Sequence, residues 1–452
     1  MRSIQQNELK FHPTMTSRTE NESKRIFQNE VLTFKSIIGA IVFFVLGVIT
    51  PPAYRNAIWR DSFTISQVRN SSLLLQDNIV CSEESLQDFI HDQPLQGFHI
   101  FCFENGHKSQ VKVTAYAEAT RSKKVSWGPE QSTWDSFEKK LFSIMSSKGK
   151  ENSKWAFFTP NGRPIMGASS MKKNAPPSLQ NFMLNRIASE NMVILIEGGM
   201  WFWPAVHIGF RRKILLRDDN VSHARAATLE TLSVDPVVLS VEGFLSMEES
   251  DYIQKIAGPK VQHSSTVAKQ DGDKDKKDSD FRTSQTAFIR SKEYPMLQDL
   301  EDRTSVLTRT PLQHQEDYQI LKYSLGQRYD AHLDYFDMSK YQKDTNTQML
   351  TKNGKQNRFA TVFFYLSDVE KGGETVFPRF NRAPQPYDMK DCTKGLKVKP
   401  QKGKVIIFYS LLPNGDYNPY SLHGACPVEE GIKWAGNKWI WNAPINHINH
   451  DK

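Results

Sequence analysis

The sequence predicts a mainly β C-terminal domain with flanking helices, preceded by a small α+β domain and a single transmembrane helix. Three observations support this fold class. An uncharged apolar stretch occurs near the N-terminus, strand-like segments surround one amphipathic helix further along, and alternating apolar residues mark many short strands after that. The length of 452 residues fits two or three domains, and a hydrophobic fraction of 38% is sufficient for their cores.

Residues 36–54, SIIGAIVFFVLGVITPPAY, contain no charged residue and are just long enough to cross a bilayer as a helix. We interpret them as a transmembrane signal anchor, with residues 1–35 as a disordered cytosolic tail and residues 55–78 as a stem. A cleaved signal peptide or a buried helix is the alternative. The long polar tail argues against cleavage, because a signal peptide normally has a short basic start.

Six basic residues precede this span, whereas Arg55 and Arg60 follow it closely. The tail contains Arg2, Lys10, Arg18, Lys24, Arg25 and Lys35. The positive-inside rule therefore predicts a single-pass type II protein of the endoplasmic reticulum or Golgi membrane, with the C-terminal bulk of the chain in the lumen. The tripeptides that begin at Asn70 and Asn220 would then be glycosylation acceptors.

The four cysteines contain no C-x-x-C pair, which argues against a zinc ribbon. They fall into two local pairs, which suits two disulfides in an oxidising compartment. We therefore expect the bonds Cys81–Cys102 and Cys392–Cys426. Only proximity supports the first bond.

Residues 79–216 are predicted to form a small α+β accessory domain. VKVTAYAEA and NMVILIEGG are typical of strands, FFTPNGRPI is typical of a hairpin, and STWDSFEKKLFSIM has apolar residues at helical spacing. No group of residues in this domain suggests chemistry. The aromatic segment GGMWFWPAV favours packing at a domain interface, with ligand binding as the alternative.

The C-terminal domain is predicted for residues 233–448. It begins with a strand and a helix whose first residues, SMEE, indicate a capping box. Most of the segments that follow alternate like strands. Three polar stretches, residues 268–280, 339–357 and 381–395, interrupt them and are predicted as loops.

The segment YDAHLDYF contains the first candidate ligands, His332 and Asp334, and alternation along a strand would place both on one face. A lone H-x-D pair is equally compatible with the polar positions of an ordinary strand. His423, which follows the apolar strand KVIIFYSLL, supplies a third donor. Two histidines and one carboxylate form the facial triad of non-haem Fe(II) oxygenases, which leaves positions open for a cosubstrate and O2.

Lys433 lies ten residues after His423. If the chain turns near Val428, the two residues face each other on neighbouring antiparallel strands. A lysine in that position would bind the far carboxylate of a dicarboxylate cosubstrate. An exposed strand lysine is the alternative.

Four motifs resemble the catalytic domain of prolyl 4-hydroxylases, in particular the plant and algal type II membrane enzymes. They are YSLGQRYDAHLDYF, NRFATVFFYLSDVEKGGETVFP, GLKVKPQKGKVIIFYS and SLHGACPVEEGIKWAGNKWI. The resemblance implies a double-stranded β-helix (jelly roll) and a dioxygenase that uses Fe(II), 2-oxoglutarate and O2, with L-ascorbate. It also implies hydroxylation of peptidyl proline to 4-hydroxyproline in secretory-pathway proteins, with a proline-rich peptide or protein as substrate. The accessory domain has no counterpart in this resemblance.

The resemblance also implies roles for individual residues. The implied iron ligands are His332, Asp334 and His423. The implied 2-oxoglutarate pocket contains Lys433 with the hydroxyl groups of Tyr323 and Thr361. The implied peptide groove contains Tyr329, Arg358 and Trp439.

Two features depart from the pattern of those enzymes. Trp441 stands where they have a polar residue, and residues 339–357 are a long insertion. Both departures concern the peptide groove, so they affect what the resemblance implies about the substrate.

Two other functions stay open. One is an oxygenase of the same family that acts on another residue or on a small molecule, and the other is a catalytically silent, membrane-anchored interaction module. The complete set of two histidines, one aspartate and one lysine argues against the second. The net charge of +8 is spread among acidic residues, so we expect no nucleic-acid partner. The sequence leaves the oligomeric state open.

Overall fold

The structure is a computed structural model that describes residues 79–105, 111–127, 134–145, 154–167, 185–216, 225–264 and 281–445. The predicted tail, signal anchor and stem lie outside the described residues, as do Asn70, Asn220 and the loop predicted for residues 268–280. Within the described ranges, no helix is long and apolar enough to span a membrane.

The first sheet has six strands, and all its strand pairs are antiparallel. The strands are β1 (Phe98–Asn105), β2 (Val111–Tyr116), β3 (Lys124–Trp127), β4 (Ala156–Phe158), β5 (Pro164–Gly167) and β6 (Met192–Ile196). Their order in the sheet is β3-β2-β1-β6-β4-β5. The two strands and the hairpin that the sequence predicts here are therefore confirmed.

Two helices belong to the same region, α1 (Glu83–Gln87) and α2 (Trp134–Ile144). The predicted helical spacing is confirmed in α2, because Phe137 and Leu141 are buried against Phe101, Phe157 and other residues of the sheet. This cluster forms one core of the region.

The second sheet has nine strands, and its pairs are also antiparallel. The strands are β7 (Arg211–Leu216), β8 (Arg225–Val234), β9 (Val237–Glu242), β10 (Gln262–His263), β11 (Gln285–Ile289), β12 (Tyr318–Tyr323), β14 (Arg358–Tyr365), β18 (Val405–Tyr409) and β21 (Lys433–Trp441). Their order is β10-β11-β12-β21-β14-β18-β9-β8-β7.

Two smaller sheets complete the β structure of the described residues. Their strands are β13 (Tyr329–His332), β15 (Lys371–Gly372), β16 (Thr375–Phe377), β17 (Leu396–Val398), β19 (His423–Ala425) and β20 (Val428–Glu430). One sheet has the order β13-β19-β16-β17, and the other pairs β15 with β20. A single hydrophobic core joins the four-stranded sheet, through Phe377 and Val398, to the nine-stranded sheet, through Tyr365 and Phe408.

Three further helices are α3 (Met247–Ala257), α4 (Pro295–Thr308) and α5 (Thr345–Leu350). The predicted capping box is confirmed at the start of α3, where the Glu249 N–H donates to Ser246 Oγ at 3.1 Å and the Ser246 N–H donates to Glu249 Oε2 at 2.7 Å. The prediction of a loop for residues 339–357 is wrong in part, because α5 lies within that stretch.

The aromatic segment around Trp203 packs between the six-stranded sheet and the nine-stranded sheet. The Phe202 ring stacks on Tyr409 with 3.9 Å between centroids, and the Trp203 backbone N–H donates to the Tyr409 hydroxyl at 3.1 Å. Trp203 Nε1 donates to the Leu307 carbonyl at 2.7 Å. These contacts confirm the prediction that the segment packs at an interface.

The sheets divide the chain differently from the predicted domain bounds. The predicted accessory domain includes residues 211–216, but these residues form β7, which pairs with β8 at the edge of the nine-stranded sheet.

Both expected disulfides, Cys81–Cys102 and Cys392–Cys426, are present.

Candidate metal centre

The three predicted ligands converge where β13 ends and β19 begins. His332 is the last residue of β13 and His423 is the first of β19, and the antiparallel register pairs them directly. Asp334 Oδ2 lies 3.6 Å from His423 Nε2, and Asp334 Oδ1 lies 4.0 Å from His332 Nε2. One ligand atom from each residue lies within 4.8 Å of the other two, so small side-chain shifts would bring all three to a single ion.

The sequence placed Asp334 in the same strand as His332, and this detail is wrong. β13 ends at His332, and Asp334 lies in the bend that follows it. The register between β13 and β19 shifts between Tyr329 and His332, so the strict alternation that the prediction assumed does not hold. The Thr361 hydroxyl donates to Asp334 Oδ2 at 2.6 Å, and this bond orients the carboxylate.

Each histidine is oriented by a backbone carbonyl. The Nδ1 atom of His332 lies 2.9 Å from the Asp330 carbonyl, and the Nδ1 atom of His423 lies 2.9 Å from the Ser421 carbonyl. Because a carbonyl only accepts, Nδ1 carries the proton and the lone pair is on Nε2. Such carbonyl partners fix the tautomer and the ring orientation in metal-binding histidines.

The charges of the three residues suit a divalent cation. Burial, together with the proximity of His423, lowers the pKa of His332 to about 3, so its imidazole is neutral at pH 7. Burial alone would raise the pKa of Asp334, but the two histidines, Arg358 and the Thr361 hydrogen bond lower it, so it is a carboxylate. Two imidazoles and one carboxylate fit the donor set of an Fe(II) facial triad.

Lys433 lies beside the same core, but not on the strand that the sequence predicts for it. His423 belongs to the four-stranded sheet and Lys433 to the nine-stranded sheet, so they are not on neighbouring strands. The chain between them forms β20, which pairs with β15 before the chain enters β21. In β21, Lys433 pairs with Tyr323 of β12.

The Lys433 ammonium group is buried among aromatic rings. Its Nζ atom lies 5.3 Å from the Tyr323 ring, 5.6 Å from the Phe363 ring and 5.8 Å from the Tyr365 ring. The residue has 0% exposure, and within the described part of the chain Nζ has no hydrogen-bond partner. Burial lowers the pKa of Lys433 to about 7, against the weaker opposing effect of Glu374. A buried amine without a partner calls for an anion, and a ligand carboxylate fits that need.

The two predicted hydroxyl partners of 2-oxoglutarate are placed differently from each other. Tyr323 is fully buried beside Lys433, and burial raises the pKa of its hydroxyl to about 12, so it remains a hydrogen-bond donor. Thr361 is also buried, but its hydroxyl is bonded to Asp334 and not to Lys433. The structure therefore brings Tyr323 to the lysine and Thr361 to the metal ligands.

The three predicted groove residues surround the triad. Tyr329 stacks on His332, with 3.7 Å between ring centroids and 22° between planes. The Arg358 guanidinium lies over Trp439 at 3.5 Å, and its Nη1 atom is 4.0 Å from Asp334 Oδ1. Arg358 and Trp439 are 7% and 5% exposed, so they form a buried floor and not an open groove.

Sequence reasoning missed Glu316. Its carboxylate accepts from Arg358 Nε at 2.6 Å and from Arg358 Nη2 at 2.9 Å, and it also accepts from Trp441 Nε1 at 2.6 Å. Glu316 lies in the polar stretch QHQEDYQ, where its spacing from the ligands carries no signal. Only the fold shows that it orients Arg358.

The profile of the 2OG-Fe(II) oxygenase superfamily matches residues 318–441, which include all three candidate ligands and Lys433. The chain is 38% identical over 236 residues to Probable prolyl 4-hydroxylase 3 of Arabidopsis thaliana, which covers 51% of this chain and 78% of that protein. It is 39% identical over 219 residues to Prolyl 4-hydroxylase 2 of the same plant, with 47% and 69% covered.

Among solved structures, a viral collagen prolyl hydroxylase from Paramecium Bursaria Chlorella virus-1, in its 2OG complex, is 25% identical. The match covers 45% of this chain and 95% of that chain, with a TM-score of 0.31.

Membership of the 2OG-Fe(II) oxygenase superfamily implies Fe(II) and 2-oxoglutarate, and the donor set and the buried lysine fit both. The region that carries them extends over most of the length of the two plant relatives. The chain therefore belongs to the prolyl 4-hydroxylase family of 2-oxoglutarate- and Fe(II)-dependent dioxygenases.

Proposed function

We propose that this protein hydroxylates peptidyl proline to 4-hydroxyproline, with Fe(II), 2-oxoglutarate, O2 and L-ascorbate. The observation that carries the proposal is the Lys433 amine, which has no hydrogen-bond partner among the described residues. It lies beside rings of the hydrophobic core whose members Phe377 and Phe408 contact His423. The printed names of the plant relatives support proline as the residue that is modified.

The residues present account for the binding steps. His332, Asp334 and His423 would hold iron, and Lys433 with the Tyr323 hydroxyl would hold the far carboxylate of 2-oxoglutarate. When bound, iron, 2-oxoglutarate and O2 supply the oxidising power for C–H hydroxylation, and the cosubstrate leaves as succinate and CO2. The aromatic rings around Lys433 exclude water from this end of the pocket.

The peptide would lie above the buried floor of Arg358 and Trp439. Within the described residues, the Trp439 indole N–H is buried without a hydrogen-bond partner, which suits a donor for a peptide carbonyl. Tyr329, half-buried on His332, would pack on a prolyl ring. A proline-rich segment holds an extended polyproline II shape at little ordering cost, so it is the preferred ligand for such a floor.

We extend the proposal to the architecture and the location. Two antiparallel sheets that share one core support a double-stranded β-helix for residues 233–448, preceded by an accessory domain that begins at residue 79 and ends before β7. The uncharged segment 36–54 and two disulfides support a type II membrane protein with its catalytic domain in the lumen of the endoplasmic reticulum or Golgi.

The test is mass spectrometry of peptides after incubation with the detergent-solubilised full chain, Fe(II), 2-oxoglutarate and ascorbate. The panel contains proline-rich, collagen-like and proline-free peptides, and NMR locates the modified atom. We expect a gain of one oxygen at C4 of proline in the first two classes. Hydroxylation of proline-free peptides alone would assign the protein to another substrate of the same chemistry. The absence of any 2-oxoglutarate turnover, with iron bound, would favour an interaction module.

A further inference from the structure

The two features that depart from the resembling enzymes, Trp441 and the long insertion, contact each other in the structure. Trp441 is fully buried in a small cluster with Phe336 and Tyr341, and Met338, Leu350 and Ile445 pack against it. The rings of Phe336 and Trp441 stack at 6.1 Å, and those of Phe336 and Tyr341 meet edge to face at 5.7 Å. The insertion therefore has its own core, and Trp441 is the largest part of it.

We use the name cap segment for residues 337–356. Its ends are joined by one side chain, because Asn357 Oδ1 accepts from the Phe336 N–H at 3.0 Å and Asn357 Nδ2 donates to the Phe336 carbonyl at 2.9 Å. The cap segment thus begins three residues after Asp334 and ends two residues before Arg358. A metal ligand and a groove residue flank it on either side.

The cap segment is internally ordered by its own hydrogen bonds. The Asp344 carboxylate caps α5 by accepting from the Asn346 N–H at 3.0 Å and the Thr347 N–H at 3.3 Å. The Thr351 hydroxyl donates to the Thr347 carbonyl at 2.7 Å, and Gln356 Nε2 donates to the Leu350 carbonyl at 2.8 Å. Because these hydrogen bonds link the cap segment internally, a displacement of its hydrophobic core would also displace its two ends.

Two routes connect this core to Arg358. In the first, Trp441 Nε1 donates to Glu316 Oε1, and the Glu316 carboxylate binds the Arg358 guanidinium with two hydrogen bonds. In the second, the Phe336 ring lies 4.9 Å from the guanidinium, on which Trp439 also packs. The guanidinium is therefore held in position by an anion and by two rings, and the cap core positions one of those rings.

We propose that Trp441 and the cap segment position Arg358 for the peptide substrate and so determine which prolyl peptides this protein accepts. This inference rests on the proposed function. Trp441 is a positioning residue in this arrangement, because it acts through Glu316 and Phe336 and does not itself reach the triad. Changes in the cap segment therefore alter the affinity for the peptide. They do not alter the affinity for 2-oxoglutarate, because its pocket lies around Lys433.

The experiment compares three full-chain variants in steady-state kinetics. Trp441→Phe keeps the ring packing and removes the N–H donor to Glu316, while Tyr341→Ala removes the cap ring from Phe336. Trp155→Phe is the matched control, because Trp155 is also buried but belongs to the core of the six-stranded sheet. We expect Trp441→Phe to raise the KM for a proline-rich peptide about tenfold, the scale of one lost charge-assisted hydrogen bond. Tyr341→Ala should raise the same KM several-fold, because it removes one edge-to-face ring contact. Both variants should change the KM for 2-oxoglutarate less than twofold.

Calorimetric titration of the same peptide into each variant, and thermal melting, complete the test. The peptide Kd is expected to rise in parallel with its KM, and the control is expected to retain the wild-type values. Unchanged peptide KM and Kd in Trp441→Phe and Tyr341→Ala would overturn the inference, and so would parallel changes of both KM values with Tm. A wild-type chain that turns over 2-oxoglutarate but hydroxylates no prolyl peptide would instead overturn the proposed function, and this inference with it.

Discussion

Lys433 and Tyr323 are direct partners across the β12–β21 pair, with the lysine Nζ 5.3 Å from the centre of the tyrosine ring. Within the described residues, no group bonds to that nitrogen. The described residues thus leave a buried amine without a partner, and a carboxylate of bound 2-oxoglutarate is the partner that we propose. The Lys433 amine therefore lowers the stability of the unliganded protein, although binding of the cosubstrate requires it.

The variant Lys433→Met is therefore expected to stabilise the unliganded protein while it abolishes 2-oxoglutarate binding. A lysine has a pKa near 10.4 in the unfolded chain and about 7 here, so the unfolded state binds more protons between these values. The stability of the wild type then falls as the pH decreases from about 10 to 7, and the advantage of the variant grows to about 4 kcal/mol at pH 7.

Urea unfolding of both proteins at pH 7 and pH 9.5 measures this difference. Equal free energies of unfolding for wild type and variant at pH 7 would contradict a buried, unpaired amine. Lys438→Met is the control, because Lys438 is also fully buried but is paired with Glu301. Removing one partner of that pair is expected to destabilise the protein.

Binding of 2-oxoglutarate is expected to take up a proton above pH 7. The free Lys433 loses its charge through a pKa of about 7, whereas a bound carboxylate favours the charged form. Uptake should approach one proton at pH 8.5 and vanish at pH 6, and the apparent Kd should rise up to tenfold per pH unit above pH 7. Anaerobic calorimetry in buffers of different ionisation enthalpy counts the protons. The same count at pH 6 and pH 8.5 would be inconsistent with this role of Lys433.

The residue types of the site follow from its chemistry, and the sequence could therefore predict them. Iron chemistry restricts the ligands to a few side chains, so His332, Asp334, His423 and Lys433 could be selected by type and order, and the structure brings the first three together. Their geometry could not be predicted in the same way. Asp334 lies in the bend after β13, and the β13–β19 register shifts between Tyr329 and His332; neither feature leaves a trace in an alternating sequence pattern.

Contacts between segments that are distant in the sequence also could not be predicted. Glu316 and Trp441 are 125 residues apart and meet only because β12 and β21 are neighbours in the sheet. Residues 339–357 have the polar composition of a loop, yet a few apolar side chains, such as Tyr341 and Leu350, pack on Trp441 and allow α5 to form. The amino-acid composition describes the average character of a segment, whereas the formation of α5 depends on a few individual contacts.

Loss of the Thr361 hydroxyl is expected to weaken metal binding. Thr361→Val keeps the shape of the side chain but removes the hydrogen bond to Asp334 Oδ2, so the carboxylate is no longer oriented. Metal affinity should fall about 10- to 100-fold, the usual effect of losing an outer partner of a ligand. Titration with Co(II) in the absence of 2-oxoglutarate measures metal binding alone. A Thr361→Val protein with wild-type metal affinity would refute the orienting role of the hydroxyl.

The ligand variants His332→Ala, Asp334→Ala and His423→Ala should each abolish turnover, because each leaves only two protein ligands for the metal.

The Cys392–Cys426 disulfide is expected to hold a strand edge beside the metal. The segment before Cys392 supplies the Met389 carbonyl, which accepts from the Ala331 N–H at 2.8 Å, next to His332. The bond closes a loop with a sequence separation of 34, so its removal should lower the free energy of unfolding by about 3–4 kcal/mol. Urea unfolding of the Cys392→Ser/Cys426→Ser protein provides the measurement. Recovery of both thiols as free cysteines from the native protein, by non-reducing peptide mapping, would remove the basis of this prediction.

Residues 79–216 are expected to be indispensable for a folded catalytic region, although they contribute no side chain to the triad. Their removal would strip Phe202 and Trp203 from Tyr409 and leave the Leu307 carbonyl without its indole donor. It would also remove β7 and leave the hydrogen-bonding edge of β8 unpaired, which is a template for aggregation.

A chain that begins at residue 225 should therefore be insoluble or unfolded, whereas one that begins at residue 79 should remain folded. Circular dichroism and size-exclusion chromatography of both chains test this. Phe202→Ala in the full chain isolates the interface, and the cavity beside Tyr409 should cost about 3–5 kcal/mol of stability. A soluble, cooperatively folding 225–452 chain would show that the two sheets are independent, and the contacts of Phe202 and Trp203 would then be incidental to the fold.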